Sequence, residues 1–466
     1  MRARKAPERQ SVLVLVENLS VPFDRRVWQE CRALDAAGYD VHVVCPASKQ
    51  DPEPYALIEG VQIHRYPAGF EAAGMLGYLR EYGTALFHMT RLSWRIRRRT
   101  RIAAIHACNP PDVLFLVALP HMLLGRTRFI FDHHDVSPEL LLAKGLRERS
   151  AMVRLAYVLE RLTFRLAHVS IATNESYKRV AVTRGGMDPD DVFVVRSGPD
   201  LRRFAPVPPN DALKRGRRFL VGYVGVMGRQ EGIDYLLEAA RHLVIDKGRE
   251  DVQFMLAGAG PELARLRKRV AELGLSSYVE FRGRISDRDL LELLSTADVC
   301  VNPDEWNRMN DMSTMNKILE YMAVGKPVVQ FDLREGRVSA GEASLYVTRN
   351  DATAFGDGIA SLLDDPAARA RMGAIGLERV ATVLNWDAQV PQLLAAYAKA
   401  LRQEKRAVEP LRDDLVTQLA SARLGPAWTT VVQPAPSAPQ PGEPRIPPAV
   451  VGADVAEGPA SLSPGG

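Results

Sequence analysis

Cysteine is scarce in this chain, and the few cysteines form no recognisable pattern. The 466 residues include four, Cys31, Cys45, Cys108 and Cys300, and no two of them stand in a CxxC arrangement. Paired or clustered cysteines are typical of disulfide scaffolds and thiolate zinc sites. The spacing therefore predicts four reduced, buried cysteines with a structural role, as in a cytoplasmic protein.

Long hydrophobic runs are missing as well. The longest apolar stretch, VLFLVALPHMLL at 113–124, is interrupted by Pro120 and His121 and is shorter than a bilayer span. The apolar residues 12–16 are too few for a signal peptide and are followed at once by Glu17. We therefore expect a chain that neither crosses a membrane nor carries a secretory signal.

Neither sign of charge is in large excess. The formal net charge is +5, from 61 Lys and Arg against 56 Asp and Glu. A balance this even does not favour nucleic acid as a partner, and we predict none. The apolar content of 46% is that of an ordinary globular protein, and 466 residues exceed one ordinary core, which predicts two domains.

Short buried strands alternate with amphipathic helices along most of the chain. SVLVLV at 11–16 is an uninterrupted apolar run of the kind that forms a strand buried on both faces. A helix over 25–37 and a strand over 39–45 follow it, and the alternation resumes with FLVGYVG at 219–225. The pattern predicts an α/β fold with parallel, doubly wound sheets, whose ligands bind beyond the carboxyl ends of the strands.

Breaks in the alternation mark the predicted domain boundaries. A proline- and charge-rich linker at 201–217 separates an N-terminal Rossmann-like domain at 1–200 from a C-terminal one at 218–385. A last helix at 386–405 is a candidate to return to the N-terminal domain. The tail at 425–466 is rich in Pro, Ala and Gly, so we predict that it is disordered.

Several stretches resemble the retaining glycosyltransferases of family 4. In the second half these are YVGVMGRQEGIDYLLEAA (223–240), LAGAGPE (256–262), VEFRGRISDRDLLELLSTADVCVNP (279–303) and NKILEYMAVGKPVV (316–329). In the first half, the stretches that are similar to a bacterial surface-polysaccharide branch of the family are PFDRRVWQECRALDAAGYDVHVVCP (22–46) and FDHHDVSPEL (131–140). The resemblance covers about residues 12–400. It implies a GT-B fold, in which two Rossmann-like, doubly wound domains face each other across a cleft.

The resemblance also implies a reaction. Such an enzyme moves a sugar from a nucleotide-sugar to a saccharide or lipid-linked acceptor and retains the anomeric configuration. The second domain binds the nucleotide and the first offers the acceptor. The sequence has no DxD with a fitting third ligand, and the GT-B resemblance implies metal independence and no cofactor. The departing diphosphate would be met by helix N-termini and cations.

The segment before and within the stretch 316–329 supplies most donor-binding candidates. The resemblance assigns Glu320 to the ribose hydroxyls, because a carboxylate accepts two hydrogen bonds from a vicinal diol. Where the family has a second acid, eight residues earlier, this chain has Met312, and the adjacent Asp311 is a catalytic candidate. The candidates to bind the diphosphate or sugar hydroxyls at the start of the helix are Ser313, Thr314 and Asn316.

The turn GVMGRQEG at 225–232 is a candidate phosphate loop. Gly225 and Gly228 would let the backbone approach the phosphates closely. The family's arginine and lysine positions in this loop hold Val226 and Glu231 here, so Arg229 is the candidate cation.

Two further cations of the second half have an open interpretation. Lys317 could add charge to the diphosphate site, or it could be an exposed lysine. Arg282 lies in the turn after another strand and could stack on the nucleobase, with a surface arginine as the alternative.

The first half contributes candidates from two loops that follow strands. The resemblance places His134 near the donor sugar, and Asp135 beside it can orient and tune a histidine. Arg25 and Arg26 stand where the family has a glycine pair and could reach the diphosphate from across the cleft. Arginine is unfavourable at a helix N-terminus, which favours a functional interpretation.

A helix is predicted over 74–100, and the segment 74–101, which ends in TRLSWRIRRRTR, is a candidate for peripheral contact with the inner membrane. An amphipathic helix packed on the sheet with a solvated basic side is the alternative. Two other functions remain open for the whole chain: a catalytically weak scaffold protein, which Met312, Val226 and Glu231 favour, and a sugar-nucleotide epimerase, which would turn over without an acceptor.

Overall fold

The computed structural model describes residues 9–68 and 74–402. Over these residues the chain forms two α/β domains, each built around one sheet. The tail predicted at 425–466 and the last residues of the helix predicted at 386–405 lie outside the described residues.

The first domain has an eight-stranded sheet. Its strands are β1 (Ser11–Leu15), β2 (Asp40–Pro46), β3 (Tyr55–Ile58), β4 (Val61–Tyr66), β5 (Ile102–Cys108), β6 (Arg128–His133), β7 (Val169–Ala172) and β8 (Val192–Val194). Their order is β3-β4-β2-β1-β5-β6-β7-β8, and β3 alone runs antiparallel to its neighbour. The strand order reverses at β1, so the carboxyl ends of β1 and β5 flank the crevice where such sheets bind ligands.

The second domain has a six-stranded parallel sheet. Its strands are β9 (Phe219–Val224), β10 (Val252–Ala257), β11 (Val279–Gly283), β12 (Val299–Asn302), β13 (Val328–Phe331) and β14 (Ser344–Val347). Their order is β11-β10-β9-β12-β13-β14, with the reversal between β9 and β12. The loops that follow β9 and β12 therefore lie at the switch point of this domain.

Helices cover both faces of the two sheets. They are α1 (Arg25–Ala36), α2 (Gly74–Arg97), α3 (Phe115–Gly125), α4 (Ser137–Ala143), α5 (Ala151–Leu166), α6 (Glu175–Thr183), α7 (Ile233–Arg241), α8 (Leu263–Glu272), α9 (Asp287–Thr296), α10 (Arg308–Met312), α11 (Asn316–Ala323), α12 (Arg334–Ala340), α13 (Ala352–Asp364), α14 (Pro366–Arg379) and α15 (Trp386–Leu401). The π-helical segments His242–Asp246 and Val380–Leu384 continue α7 and α14.

The predicted α/β, doubly wound architecture is confirmed, and most predicted elements lie within a few residues of the observed ones. The helix predicted over 25–37 is α1, and the strand predicted over 39–45 is β2. The sequence pattern did not predict β3, whose residues are alternately half-buried and exposed at the sheet edge and carry no continuous apolar run. The short elements α4, α10, α12 and β14, and the longer helix α14, were not predicted either.

The last helix packs on the first domain although the chain reaches it from the second. Trp386, Leu393 and Tyr397 of α15 are buried in one cluster with β1 and α1. The Tyr397 hydroxyl lies 2.9 Å from Nδ1 of His106 on β5. The chain therefore crosses between the domains twice, once before β9 and once before α15.

The four cysteines are free thiols and all are buried, as predicted. Among the described residues, no helix is both long enough and apolar enough to span a bilayer.

Candidate active site

Glu320 is a largely buried acid at the boundary between the domains. It lies on α11, which follows β12 through α10, and its side chain is 18% exposed. Its Oε1 is 3.5 Å from Nη1 of Arg25 in the first domain. Burial raises the pKa of Glu320 to about 7, and Arg25 opposes that rise. A cavity between the domains is lined by both residues together with Asn316 and Phe204.

Arg25 and Arg26 begin α1 and point in opposite directions. Asp24 caps this helix by accepting a hydrogen bond from the amide of Val27 at 3.1 Å. Arg25 is half-exposed and reaches the second domain, where it also lies 2.6 Å from Asp287. Arg26 is buried in the first domain, so of this pair Arg25 is the one that faces the donor side of the cleft.

Arg26 is the cation of a buried polar network that includes His134. Its guanidinium lies 3.0 Å from His134 Nε2, 3.1 Å from Asp132 and 3.0 Å from Glu30. Although burial alone would raise it, Arg26 and His134 hold the pKa of Asp132 well below its usual range. His106 lies 3.2 Å from Asp132 on the far side. His134 is therefore held between a cation and an anion at the carboxyl end of β6.

Asn109 fixes the backbone of the His134 loop. Its Oδ1 accepts hydrogen bonds from the amides of His134 at 2.6 Å and Asp135 at 3.1 Å. Its Nδ2 donates to the carbonyl of Asp135 at 2.6 Å and to Asp112 at 2.9 Å. Sequence reasoning missed Asn109, although its position directly after β5, at the switch point, could have indicated it.

The two neighbouring histidines have different environments. His133 is fully buried among Phe131, Phe164 and Tyr177, and its pKa is lowered to about 3 by burial and by Arg184. It is a neutral histidine of the core. Burial raises the pKa of Asp135.

The loop after β9 contains the predicted phosphate-binding residues. A Cβ added at Gly225 would collide with the Tyr223 hydroxyl, and one added at Gly258, at φ +142°, would collide with the Gly225 carbonyl. These contacts explain why glycine stands directly after β9 and directly after β10. Arg229 is exposed and makes no ion pair with the described residues.

Lys317 is largely buried, so the alternative interpretation of this residue as an exposed lysine is wrong. It is 10% exposed, and its Nζ lies 2.5 Å from Glu231 Oε2 and 3.0 Å from Asp304 Oδ1. Burial lowers its pKa, but Asp304 and Glu231 outweigh this and hold it above the usual range. Burial and Glu231 raise the pKa of Asp304 to about 7, against the effect of Lys317. The charge of Lys317 is therefore matched by acids of its own domain.

The segment before α11 contacts the first domain. Asn174, the N-cap of α6, donates to the Met312 carbonyl at 2.8 Å and to Thr314 Oγ1 at 3.0 Å. The hydroxyls of Tyr177 and Ser313 are 3.0 Å apart. These contacts seat the start of α11 against the start of α6.

Two predicted residues lie apart from this junction. Asp311 accepts a hydrogen bond from the amide of Arg334 at 3.0 Å and so faces α12. Arg282 pairs with Glu280 at 3.2 Å on the edge strand β11. Two residues further on, the Arg284 guanidinium lies 5.3 Å from the ring centre of Phe23 in the first domain.

One group of side chains among the described residues has the composition of a metal site. The candidate ligand atoms of Glu30, His106, Cys108 and Asp132 lie within 4.8 Å of one another. Arg26 forms ion pairs with both carboxylates, so a cation of the protein already balances their charge.

Two Rossmann-like domains that meet at the loops beyond their strands define the GT-B class of fold. The glycosyl transferase 4-like domain model matches residues 24–198, and the glycosyl transferases group 1 model matches residues 218–365. The chain belongs to the family 4 glycosyltransferases, as the sequence resemblance indicated.

Curated relatives match part of the chain. D-inositol 3-phosphate glycosyltransferase from Corynebacterium efficiens is 30% identical over 244 residues, 49% of this chain and 55% of that protein. MMP alpha-(1->4)-mannosyltransferase from Mycolicibacterium hassiacum is 28% identical over 225 residues, 47% of this chain and 51% of that protein. The chain thus spans about half the length of these relatives.

Solved structures match across both domains. Sucrose-phosphate synthase from Thermosynechococcus elongatus has a TM-score of 0.69 at 20% identity and covers 84% of this chain and 100% of its own. HepE from Anabaena, in complex with UDP and glucose, has a TM-score of 0.63 at 15% identity, again covering 84% of this chain and 100% of its own. These likenesses confirm the GT-B fold.

Proposed function

We propose that the protein is a retaining glycosyltransferase that moves a sugar from a nucleotide-sugar to a saccharide or lipid-linked acceptor in polysaccharide or glycolipid assembly. The observation that carries the proposal is the buried carboxylate of Glu320, which faces a cavity between the domains. A buried acid with a raised pKa in an interdomain cleft is typical of a ligand site. Family membership supports the same function.

The donor would be held from both sides of the cleft. Glu320 would accept hydrogen bonds from the ribose diol. Because Lys317 is neutralised by acids of its own domain, the diphosphate would rely on Arg25, on Arg229 and on main-chain amides at the start of α11. We propose that no metal ion or cofactor is needed.

The transfer itself would proceed on one face of the sugar. The bond from the anomeric carbon to the diphosphate oxygen breaks, and a bond from that carbon to the acceptor oxygen forms on the same face. The proton of the acceptor hydroxyl moves to the departing diphosphate. His134, held by Arg26 and Asp132, would donate or accept a hydrogen bond at a hydroxyl of the transferred sugar and so position it.

Relatives support a hydroxylated acceptor. One is named for transfer involving D-inositol 3-phosphate, and another, from Corynebacterium glutamicum, is a GDP-mannose-dependent mannosyltransferase of a phosphatidylinositol monomannoside. These names support a saccharide or a glycolipid as the class of acceptor.

A panel of UDP-, GDP-, ADP- and TDP-sugars tests the proposal by thermal shift and calorimetry. One donor should raise the melting temperature, since a ligand bound only by the folded protein stabilises it. Glu320→Gln should weaken that binding at least tenfold, and Glu378→Gln, exposed on α14, should leave it unchanged. Binding without transfer to any acceptor would favour the scaffold, and conversion of the donor without an acceptor would favour the epimerase.

We also propose that one face of the first domain contacts an anionic membrane. Buried residues of α2, α3 and α5 pack on the same side of the sheet. Their outward surfaces expose large apolar side chains, namely Phe87, Leu116, Leu123, Leu124, Leu155, Val158 and Leu162. The exposed charged residues beside them are Arg91, Arg95, Arg98, Arg99, Arg101, Arg126, Arg154, Arg161 and Arg165.

Acidic residues are nearly absent from the same segments. Between 86 and 101, 115 and 126, and 151 and 166, the sequence has one acid, Glu160, and it is buried. A surface of arginines and apolar side chains complements anionic headgroups over acyl chains. This face extends the contact predicted for 74–101 to α3 and α5.

Vesicle co-sedimentation tests this contact. The protein should bind phosphatidylcholine vesicles that contain phosphatidylglycerol and should lose that binding at high salt or without the anionic lipid. Changing Leu155, Val158 and Leu162 together to Gln should weaken it at least tenfold. The matched control changes Val338 and Val383 to Gln. Both are exposed in the second domain, and vesicle binding should be unchanged. Equal loss in both variants, or self-association without vesicle binding, would contradict the proposal.

A further inference from the structure

A second cavity lies in the first domain at the carboxyl ends of β1, β2 and β4. Its volume is about 250 Å³, close to the lower end of the range for small-molecule sites. Arg284 of the second domain also lines it, and the contact of Arg284 with Phe23 closes one side. The second domain therefore contributes one residue, Arg284, to the wall of this cavity.

The polar side chains of this cavity are acids, hydroxyls, the amides of Asn18 and Gln50, and Arg284. Glu17 and Glu81 both line it, and burial, reinforced by Glu81, raises the pKa of Glu17 to about 7. The Glu17 carboxylate makes no hydrogen bond or ion pair with the described part of the chain. Tyr66 also lines the cavity and is 4% exposed, and its hydroxyl has no partner among the described residues. Unpartnered buried polar groups gain by binding a ligand that supplies hydrogen bonds.

The charges of the cavity discriminate between ligands. Among its described lining residues the two carboxylates face one cation, Arg284, which lies at the edge over the Phe23 ring. A phosphate placed there would be desolvated beside two carboxylates, a like-charge contact that costs free energy in a low-dielectric site. Hydroxyl or ammonium groups would donate hydrogen bonds to the same carboxylates.

We propose that this cavity binds the acceptor and that the part of the acceptor it holds is an unphosphorylated saccharide, neutral or bearing an ammonium group. The inference rests on the proposed function, since it names the acceptor class of the same transfer reaction. Any phosphate or lipid of the acceptor then lies outside the cavity.

Matched pairs of sugars test the inference by saturation-transfer NMR on the full chain. The probes are glucose with glucose 6-phosphate, mannose with mannose 6-phosphate, and glucosamine as the ammonium sugar. At least one neutral or ammonium sugar should bind ten times more tightly than its phosphorylated partner. Glu17→Gln combined with Glu81→Gln should reduce that ratio to threefold or less, and Glu53→Gln, exposed beside β3, should leave it unchanged.

The outcomes separate this inference from the proposed function. Equal or tighter binding of the phosphorylated sugars would overturn the inference alone. So would the absence of binding of every sugar by a protein that still binds its donor. Each sugar is tested at 20-fold molar excess, about 10 mM, a concentration suited to millimolar affinities. Failure of every nucleotide-sugar to bind would overturn the proposed function instead. If the double variant melts below the wild type, Glu17→Gln alone supplies the same measurement.

Discussion

Lys317 Nζ on α11 lies 2.5 Å from Glu231 Oε2 in the loop 225–232. This lysine is therefore paired with an acid at a position where the family has a cation. Asp304 adds a second carboxylate at 3.0 Å. The Tyr223 hydroxyl donates to the same Glu231 oxygen at 3.0 Å. The cluster is internally satisfied, and it leaves the diphosphate of a donor to be neutralised from elsewhere.

Breaking this cluster should destabilise the second domain. Lys317→Met leaves Glu231 and Asp304 buried without their cation, and removal of one partner of a buried ion pair costs about 3–5 kcal/mol. Urea unfolding measures the loss. Lys268→Met is the control, because its side chain is 80% exposed and its pair with Glu272 is 3.8 Å long. A loss below about 1 kcal/mol in Lys317→Met, within the range of a surface substitution, would contradict this account.

Donor binding should tighten as pH rises. Burial raises the pKa of Glu320 to about 7, so the acid is mostly protonated at pH 6 and mostly ionised at pH 8. The ionised form accepts both hydrogen bonds of a ribose diol, and the affinity for a nucleotide-sugar should therefore rise about tenfold between these pH values.

Calorimetry across this pH range measures the effect, and Glu320→Gln separates it from the titration of Asp304, whose pKa is also about 7. The variant should bind weakly with little pH dependence. A variant that keeps the full pH dependence would show that another group controls donor binding.

The stability of the protein and the order of the loop that carries His134 should both depend on Asn109. Asn109→Ala removes the acceptor of two main-chain amides and the donor to the Asp135 carbonyl. Each buried polar group left without a partner costs about 1–3 kcal/mol, so we expect a loss of at least 2 kcal/mol in total. Chemical denaturation measures the stability, and hydrogen exchange should be faster at residues 133–136. Unchanged exchange there would mean that other contacts hold the loop.

The architecture was predictable because its signals are local. Each buried strand of a parallel sheet is a short apolar run, as in 11–16 and 219–225, and the motif stretches identified the family. The edge strand β3 lacked such a run, because only one of its sides pairs and its side chains are partly exposed. The short helices α4, α10 and α12 have too few residues for a periodic pattern.

The partners of the candidate residues were not predictable in the same way. Arg25 and Arg26 are adjacent in sequence, yet one meets Glu320 and the other His134, and only the approach of the domains decides this. Asn109 and Asn174 act on segments that lie far from them along the chain. The pairing of Lys317 with Glu231 joins residues 86 positions apart, so neither residue type alone could indicate it.

Arg25 should matter for the phosphates of the donor and not for its nucleoside. Its guanidinium is half-exposed and lies 3.5 Å from Glu320 across the cleft, whereas the cation of its own loop, Arg26, is buried in the first domain. Hydrogen bonds to charged groups contribute about 1.5–3 kcal/mol, so Arg25→Ala should weaken nucleotide-sugar binding about tenfold or more.

The comparison that isolates this role uses the nucleoside without phosphates as a second ligand. It is made at pH 9, because loss of Arg25 raises the pKa of Glu320 further and the acid must be ionised in both proteins. The affinity for the nucleoside should be the same in the wild type and in Arg25→Ala. Arg32→Ala is the matched control, since Arg32 lines the same cavity but pairs with Glu59 at 2.9 Å, and it should bind the nucleotide-sugar normally. Equal weakening of both ligands in Arg25→Ala would mean that Arg25 acts through Glu320 and the ribose, and the diphosphate would then depend on Arg229 and the amides of α11.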